Sequence, residues 1–358
     1  MDTSPLYVSS AFWQSAAPAP VTMPPQERRV GVVLAAGLGQ RLAPITSFQP
    51  KAAAPVLNIP MIWWAIRALH QAGVTEILVN VHHLAHIVQT LCRRAATQLD
   101  IPITCVWQAA LDGPAGGMRA CLSQVSGRVS AVVINADVFI EGDIADLVRD
   151  HVQTAADLTI AAVSCLDSSA YGRLVVAGDG QVLEIREKDA AVPGLVNCGL
   201  YVLSARGVDI VRHYERAENV DDLVPAMHSA GRSVRPWSGL QAWRDIGTPA
   251  ALLETNLRLL QVATLDLVQS TGSIVVQRWC GSSERSGSAR DWSLVGQGSV
   301  LEDAVDFART IIGRDVYVRS GARLRDCVVL DGATVPAGQH VGGVLIPGVD
   351  RPAGVPNR

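Results

Sequence analysis

Apolar positions along the chain change their period twice. The first 26 residues show no period at all and carry Pro5, Pro18, Pro20, Pro24 and Pro25 among Ser and Ala. They read as a flexible extension over residues 1–28, although Leu6, Tyr7, Phe12 and Trp13 are bulky enough to dock on a neighbouring surface. From Val30 the pattern changes abruptly. Val30 to Ala36 is a continuous apolar run ending in glycines, as expected of a buried parallel strand. Met61 to Ala72 then places Ile62, Ala65, Ile66 and Leu69 at helical spacing, with Gly73 as the stop. Ile77–Val81 predicts a strand, Leu84–Arg94 a helix, Ile103–Trp107 a strand, Met118–Val125 a helix and Ala131–Asn135 a strand. Such alternation at short intervals predicts βαβ units: an α/β, Rossmann-like, mostly parallel sheet with helices on both faces. Tyr171 to Glu187 reads as two strands about the turn Gly178-Asp179-Gly180, followed by a strand at Val196–Leu203 and a short helix at Gly207–Tyr214. Leu252 to Leu267 is apolar at helical spacing and is expected to close this domain, residues 29–268.

A linker is expected over 269–292, densest in Ser and Gly from Arg278 to Arg290. Beyond it the period becomes six. Leu294, Val300, Ile312, Val318, Leu324 and Leu330 fall on one six-residue series, broken by Asp306 and followed by Pro336. Four positions after each comes a small or β-branched residue: Gly298, Ala304, Thr310, Val316, Ala322, Val328 and Thr334. Hexapeptide repetition is the signature of a β-helix, expected here over 293–350; a β-sandwich with fortuitous spacing is the alternative. A β-helix of so few coils has exposed ends, which favours assembly into a homo-oligomer, a dimer or tetramer.

Composition narrows the function classes. The 358 residues hold 30 Lys+Arg against 33 Asp+Glu, a formal charge of -3. This balance carries no electrostatic footprint for nucleic acid or an acidic membrane. No apolar run approaches the ~20 residues that span a bilayer, and no secretory signal pattern precedes Arg29. The seven cysteines are scattered without a CxxC pair, so neither a disulfide framework nor a zinc site is expected. Reduced thiols and a cytoplasmic location follow from that usage. His82, His83 and His86 form a tempting metal cluster, but adjacent strand residues point to opposite faces and a ligand role is not expected.

The chemistry starts at the glycine loop. Leu34-Ala35-Ala36-Gly37-Leu38-Gly39-Gln40-Arg41-Leu42 leaves a strand and enters a turn whose backbone N–H groups are open to a phosphate. Arg41 and, ten residues on, Lys51 add two cations, which suits the transfer of a highly charged group. The stretch from Leu34 to Val56, LAAGLGQRLAPITSFQPKAAAPV, closely resembles the signature of the sugar-1-phosphate nucleotidyltransferases, the nucleotide-sugar pyrophosphorylases. A Rossmann dinucleotide loop has a different spacing, GxGxxG with an acidic residue about 20 positions later.

The resemblance extends over about residues 29–262 and implies roles residue by residue. Leu34, Ala36, Gly37 and Gly39 contact the nucleotide, while Arg41 and Lys51 offset charge on the triphosphate. Gln108 and the run Asp112-Gly113-Pro114-Ala115-Gly116-Gly117 look like the nucleobase-contacting segment, with Gly113, Pro114 and Ala115 as contacts. Asp137, in Asn135-Ala136-Asp137, matches a magnesium-binding aspartate, and Asp245, in Trp243-Arg244-Asp245, matches the second. Gly172 lies in a loop resembling a sugar-side loop, Glu187 matches an acid that bonds sugar hydroxyls, and Lys188 a lysine that holds the sugar phosphate. Asn197 faces a sugar hydroxyl in the family pattern. The family also includes members with a C-terminal left-handed β-helix.

The implied reaction is attack by a sugar 1-phosphate oxygen on the α-phosphate of a nucleoside triphosphate, with pyrophosphate leaving in line and Mg²⁺ as cofactor. The Gly113–Gly117 run is nearest to guanylyltransferases of the mannose-1-phosphate and heptose-1-phosphate type. Asn80-Val81-His82-His83-Leu84 also occurs among uridylyltransferases, and UTP or dTTP stays an alternative donor to GTP. A hexose, heptose or cyclitol phosphate fits as acceptor. A catalytically silent regulatory subunit is expected to lose its charged site residues, whereas Arg41, Lys51, Asp137, Lys188 and Asp245 are present. A β-helix acyltransferase needs more coils and a histidine between subunits, while His340 sits in the final fragment.

Overall fold

A computed structural model describes residues 12–13, 28–187, 191–214, 218–262, 268, 271–279 and 290–348. The described chain separates into two compact units. The larger comprises residues up to Leu38 from the first strand and Met61–Asp245. The other comprises Phe12, Trp13, Gly39–Pro60 and the residues from Ile246 onward.

The larger unit is built on a 9-stranded mixed sheet. Its parallel part places Arg28–Leu34 between Ile77–Val81 and Val129–Asn135, with Ile103–Trp107 at the edge beyond Ile77–Val81. These strands are apolar almost throughout because helices cover both faces: Val30, Val32, Val33, Ile77, Val79, Val132 and Val133 are all completely buried. Gly194–Leu203 runs antiparallel beside Val129–Asn135 and carries the hairpin of Gly172–Val176 and Val182–Glu187. Gly113–Leu122, Ala205–His213 and Val220–Ser229 cover one face through Met118, Leu122, Val208, Leu223 and Met227. Met61–Gln71 packs against Arg28–Leu34 and Val129–Asn135, and Ile144–Thr154 against Leu158–Cys165 and Gly194–Leu203. Asp143 caps the latter helix, its carboxylate accepting from the Ala145 N–H at 2.8 Å. A separate antiparallel pair, Val138–Glu141 with Ala242–Asp245, extends from the end of Val129–Asn135.

In the other unit the strands after Ile274 stack largely in parallel. Leu294 lies beside Ile311 and Ile311 beside Val328. Val300 lies beside Tyr317 and Tyr317 beside Thr334. Asp306 lies beside Arg323, and Arg323 beside Gln339. Hydrogen bonds tie the first layers with a step of 17 residues, as from Thr310 N–H to Ser293 Oγ and from Val316 N–H to Ser299 Oγ, and Gly338–Leu345 follows Ala322–Val329 at a step of 16. The six-residue spacing therefore holds within a layer, where Ile312, Val318 and Leu324 all point inward, and slips between layers. That slip corrects one expected core position: Val300 is 52% exposed, and its neighbour Leu301 packs inward.

Pro249–Val262 packs on Arg290–Val295, Ala322–Val329 and Gly338–Leu345. Within it the fully buried Asn256 accepts from the Leu57 N–H at 2.6 Å and donates to the Pro55 carbonyl at 3.1 Å. Asn58 is clasped in turn, accepting from Arg314 Nη2 through its carbonyl at 2.8 Å and donating to the Ile312 carbonyl at 3.1 Å. Arg278 and Arg290, the ends of the expected linker's densest part, lie in paired antiparallel strands, and 280–289 lie outside the described residues. Phe12 and Trp13 are buried in an edge-to-face pair with centroids 4.7 Å apart. Among the described residues no helix is long and apolar enough to cross a membrane.

Candidate active site

The C-terminal ends of the parallel strands in the larger unit gather its polar residues. Leu34 closes its strand, and the next residue's N–H donates to Asn80 Oδ1 at 2.6 Å. Asn80 passes the chain of bonds on, its Nδ2 donating to Gln108 Oε1 at 2.6 Å. Asn80 and Gln108 are both buried, so each amide is fixed in orientation by its partner. The Gln108 carbonyl meets His82 Nδ1 at 2.8 Å, and the His82 ring stacks on Trp107 with centroids 5.7 Å apart. Trp107 is 60% exposed, an aromatic face beside Gln108 that apolar periodicity alone assigned to a strand.

Ala36 is buried and Gly37 exposed; a Cβ on Gly37 would meet no protein atom within 4 Å. Gly113 and Pro114 open the helix Gly113–Leu122, which starts five residues before the Met118 expected from periodicity. Gly113 sits at φ 66°, where a side chain would strike the Glu218 carbonyl. Gly117 lets the helix pass over Asn80, whose Nδ2 lies 2.5 Å from where a Cβ would be. Gly113 and Pro114 are exposed, whereas Ala115 is buried and its N–H donates to Glu218.

Two carboxylates come from distant sequence. Asp245 ends the strand Ala242–Asp245 and pairs in register with Val138, the residue after Asp137. Both are half-buried. Trp243 anchors that strand, donating through Nε1 to the Cys198 carbonyl at 2.9 Å and packing edge-on against Tyr171 at 4.9 Å.

Next to Tyr171, Gly172 faces Glu187 across the antiparallel hairpin. Asn197 Nδ2 donates to the Tyr201 hydroxyl at 2.9 Å, and Asn197 Oδ1 accepts from the Gly199 N–H at 3.0 Å. Complete burial, with the fields of Glu187, Cys198 and Asp137 adding to it, pushes the Tyr201 phenol well above its ordinary value, so the ring keeps its proton. Tyr201 thus holds the Asn197 amide, a role that sequence reasoning passed over. It is one apolar-looking position in a strand, and only the fold shows its hydroxyl bonded to Asn197. Lys188 lies outside the described residues.

Gly39, Arg41 and Lys51 belong to the other unit. Gly39 takes φ 61°, and a Cβ there would lie 2.8 Å from Lys51 Cβ and 3.0 Å from Thr46 Cγ2. The glycine therefore lets the turn close over the Lys51 stem, and Lys51 is only 9% exposed. Arg41 is exposed at the head of this turn.

The family model described as nucleotidyl transferase matches residues 30–262. The chain belongs to that family. It is 25% identical over 313 residues to the mannose-1-phosphate guanylyltransferase of Mycobacterium tuberculosis, covering 86% of this chain and 81% of that one. It is also 25% identical over 324 residues to the UTP–glucose-1-phosphate uridylyltransferase of Synechocystis, covering 84% and 82%. HddC of Yersinia pseudotuberculosis, solved with GMP-PN, shares the fold at TM-score 0.53 and 22% identity, over 64% of this chain and 99% of that one.

Proposed function

We propose that the chain transfers a nucleotidyl group from a nucleoside triphosphate, GTP by preference, to a sugar 1-phosphate or a cyclitol 1-phosphate. A phosphate oxygen of the acceptor attacks the α-phosphorus, the bond from that phosphorus to the β-phosphate oxygen breaks, and pyrophosphate leaves. The observation that carries this reading is the adjacency of Asp137 and Asp245, brought together from separate parts of the sequence by strand register.

That pair fits Mg²⁺, which keeps most of its waters and takes one or two carboxylates plus substrate phosphates instead of an all-protein cage. When bound, Mg²⁺ supplies charge stabilisation at the phosphates. The protein groups do the positioning. Gly37 and Gly39 offer backbone N–H groups, Arg41 and Lys51 offset triphosphate charge, Gln108 and Gly113-Pro114 orient the base, and Lys188 presents the acceptor phosphate. Glu187 and Asn197 bind sugar hydroxyls, with Asn197 held by Tyr201.

GTP as donor is supported by the named activity of the Mycobacterium relative, while the Synechocystis relative favours UTP as the second reading. We further assign the stacked C-terminal strands to a short left-handed β-helix, on their steps of 17 and 16 residues and inward Ile312, Val318 and Leu324. A cytoplasmic homo-oligomer completes the proposal.

The test is pyrophosphate release with Mg²⁺ from four triphosphates against a panel of sugar 1-phosphates. Release only with GTP supports the proposal; release with UTP alone moves the donor to the second reading. No release from any pair, with nucleotide binding intact, rejects the enzymatic reading.

A further inference from the structure

At the opposite end of the central sheet lies a cavity of about 280 Å³ that the proposed transfer does not use. It sits where Arg29 and Ser130, the second residues of neighbouring parallel strands, begin their runs. Seven residues of strand and turn separate Ser130 from Asp137, roughly 20 Å at the usual strand rise.

Its polar lining is strongly biased in charge. Arg29, Arg128 and Arg206 contribute to the wall, and no carboxylate does. The nearby Asp157 is already occupied, accepting from Arg206 Nε at 2.8 Å and from Ser204 Oγ at 2.9 Å. Arg29 is only 4% exposed and is braced by its Nη1 bond to the Ala72 carbonyl at 3.0 Å. His151, also in the wall, stays neutral. Burial lowers it to about 4, with the Arg29 charge acting the same way and Asp157 against it.

The second observation points to a ligand. Ser130 is 5% exposed, lines this cavity, and its Oγ is buried with no hydrogen-bond partner. A buried hydroxyl without a partner costs about 1–3 kcal/mol unless something outside the chain satisfies it. Val148, Val152 and Val202 supply an apolar side to the same space.

We propose that this cavity binds a small phosphate monoester, its phosphate among Arg29, Arg128, Arg206 and Ser130 Oγ and its short organic body against the valines. Guanidinium groups match phosphate oxygens in geometry and charge, and the volume fits a compact metabolite better than a nucleotide. This site is separate from the glycine loop and does not rest on the proposed transfer.

The experiment is calorimetric titration of the full-length protein with inorganic phosphate and with glycerol 3-phosphate. Arg128→Gln removes an exposed cation, and Ser130→Ala removes the unpartnered hydroxyl with little change in volume. Both are expected to weaken binding by about tenfold, as for loss of a charge-assisted bond, with the ligand-free melting temperature unchanged in Arg128→Gln and raised in Ser130→Ala. Lys51→Ala should bind both probes as the unaltered protein does, and glycerol 3-phosphate should bind more tightly than phosphate. Binding that survives Arg128→Gln and Ser130→Ala but fails in Lys51→Ala places the anion at the glycine loop and overturns the proposal. Absence of saturable binding of either probe overturns it too.

Discussion

Glu187 and Gly172 stand opposite each other in an antiparallel hairpin, and the Glu187 carboxylate occupies the space that a Cβ on Gly172 would need. The glycine is thus a seat for the acid. Gly172→Ala displaces the exposed Glu187 carboxylate and also presses on the buried Ile185, whose Cγ2 lies 2.8 Å from the added Cβ, so the fold is expected to persist with a lowered melting temperature. The substitution should raise KM for the sugar 1-phosphate by about tenfold, the scale of one lost charge-assisted bond, with a smaller change in kcat. Steady-state kinetics with a thermal melt check both halves.

Asp245 and Asp137 meet through strand register, so each tests the other's assignment. Asp245→Asn should lower kcat by about 10²–10³, the usual cost of removing one charge-stabilising group, while circular dichroism stays unchanged. The same fall is expected for Asp137→Asn. The double variant should fall little further, because two ligands of one ion act as a unit. Full turnover in Asp245→Asn would remove it from the metal site.

Asn256 makes a structural prediction within the smaller unit. Its side chain satisfies the Leu57 N–H and the carbonyls of Pro55 and Leu252 while fully buried. Asn256→Ala leaves these groups unpaired and should cost about 2–4 kcal/mol in denaturant unfolding.

His151 predicts an acid limb of stability. Its folded value is lowered to about 4 from an ordinary 6.5, chiefly by burial. Between those values the unfolded chain binds the proton more readily, so stability is complete above pH 6.5 and falls as pH drops toward 4. The contribution is roughly 3 kcal/mol over that window. His151→Asn, which can keep a bond toward Thr159, should flatten the pH dependence of the denaturation midpoint between 6.5 and 4 relative to the unaltered protein. An equally steep slope would show that His151 is not the group responsible.

Periodicity made the strands of the central sheet legible because continuous apolar runs such as Val30–Ala36 have few other uses. Ile77–Val81 and Ile103–Trp107 match their expected bounds. The helix at Gly113 was obscured by its own glycines. They interrupt the apolar helical period, and their reason for being there, the close passage of Gly117 over Asn80, is a tertiary contact. The strand Ala242–Asp245 carries too few apolar residues to announce itself and exists through its pairing with Val138–Glu141. The candidate residues Asp137 and Asp245 came from resemblance; their adjacency needed the fold. At the C-terminus a six-residue count matched the inward face of one layer, Ile312, Val318 and Leu324, but missed the slip between layers, which turns Val300 outward and Leu301 inward.

The central claim is a single displacement at the α-phosphorus by the acceptor's phosphate. It is tested most directly with a sugar 1-phosphate carrying ¹⁸O in its non-bridging phosphate oxygens, followed by ³¹P NMR of the products. The account predicts that all label enters the nucleotide sugar, with ¹⁸O in the bridge between its two phosphorus atoms and none in pyrophosphate. Unlabelled nucleoside monophosphate alongside unreacted sugar 1-phosphate would mean that water, not the sugar phosphate, is the nucleophile, and would contradict it.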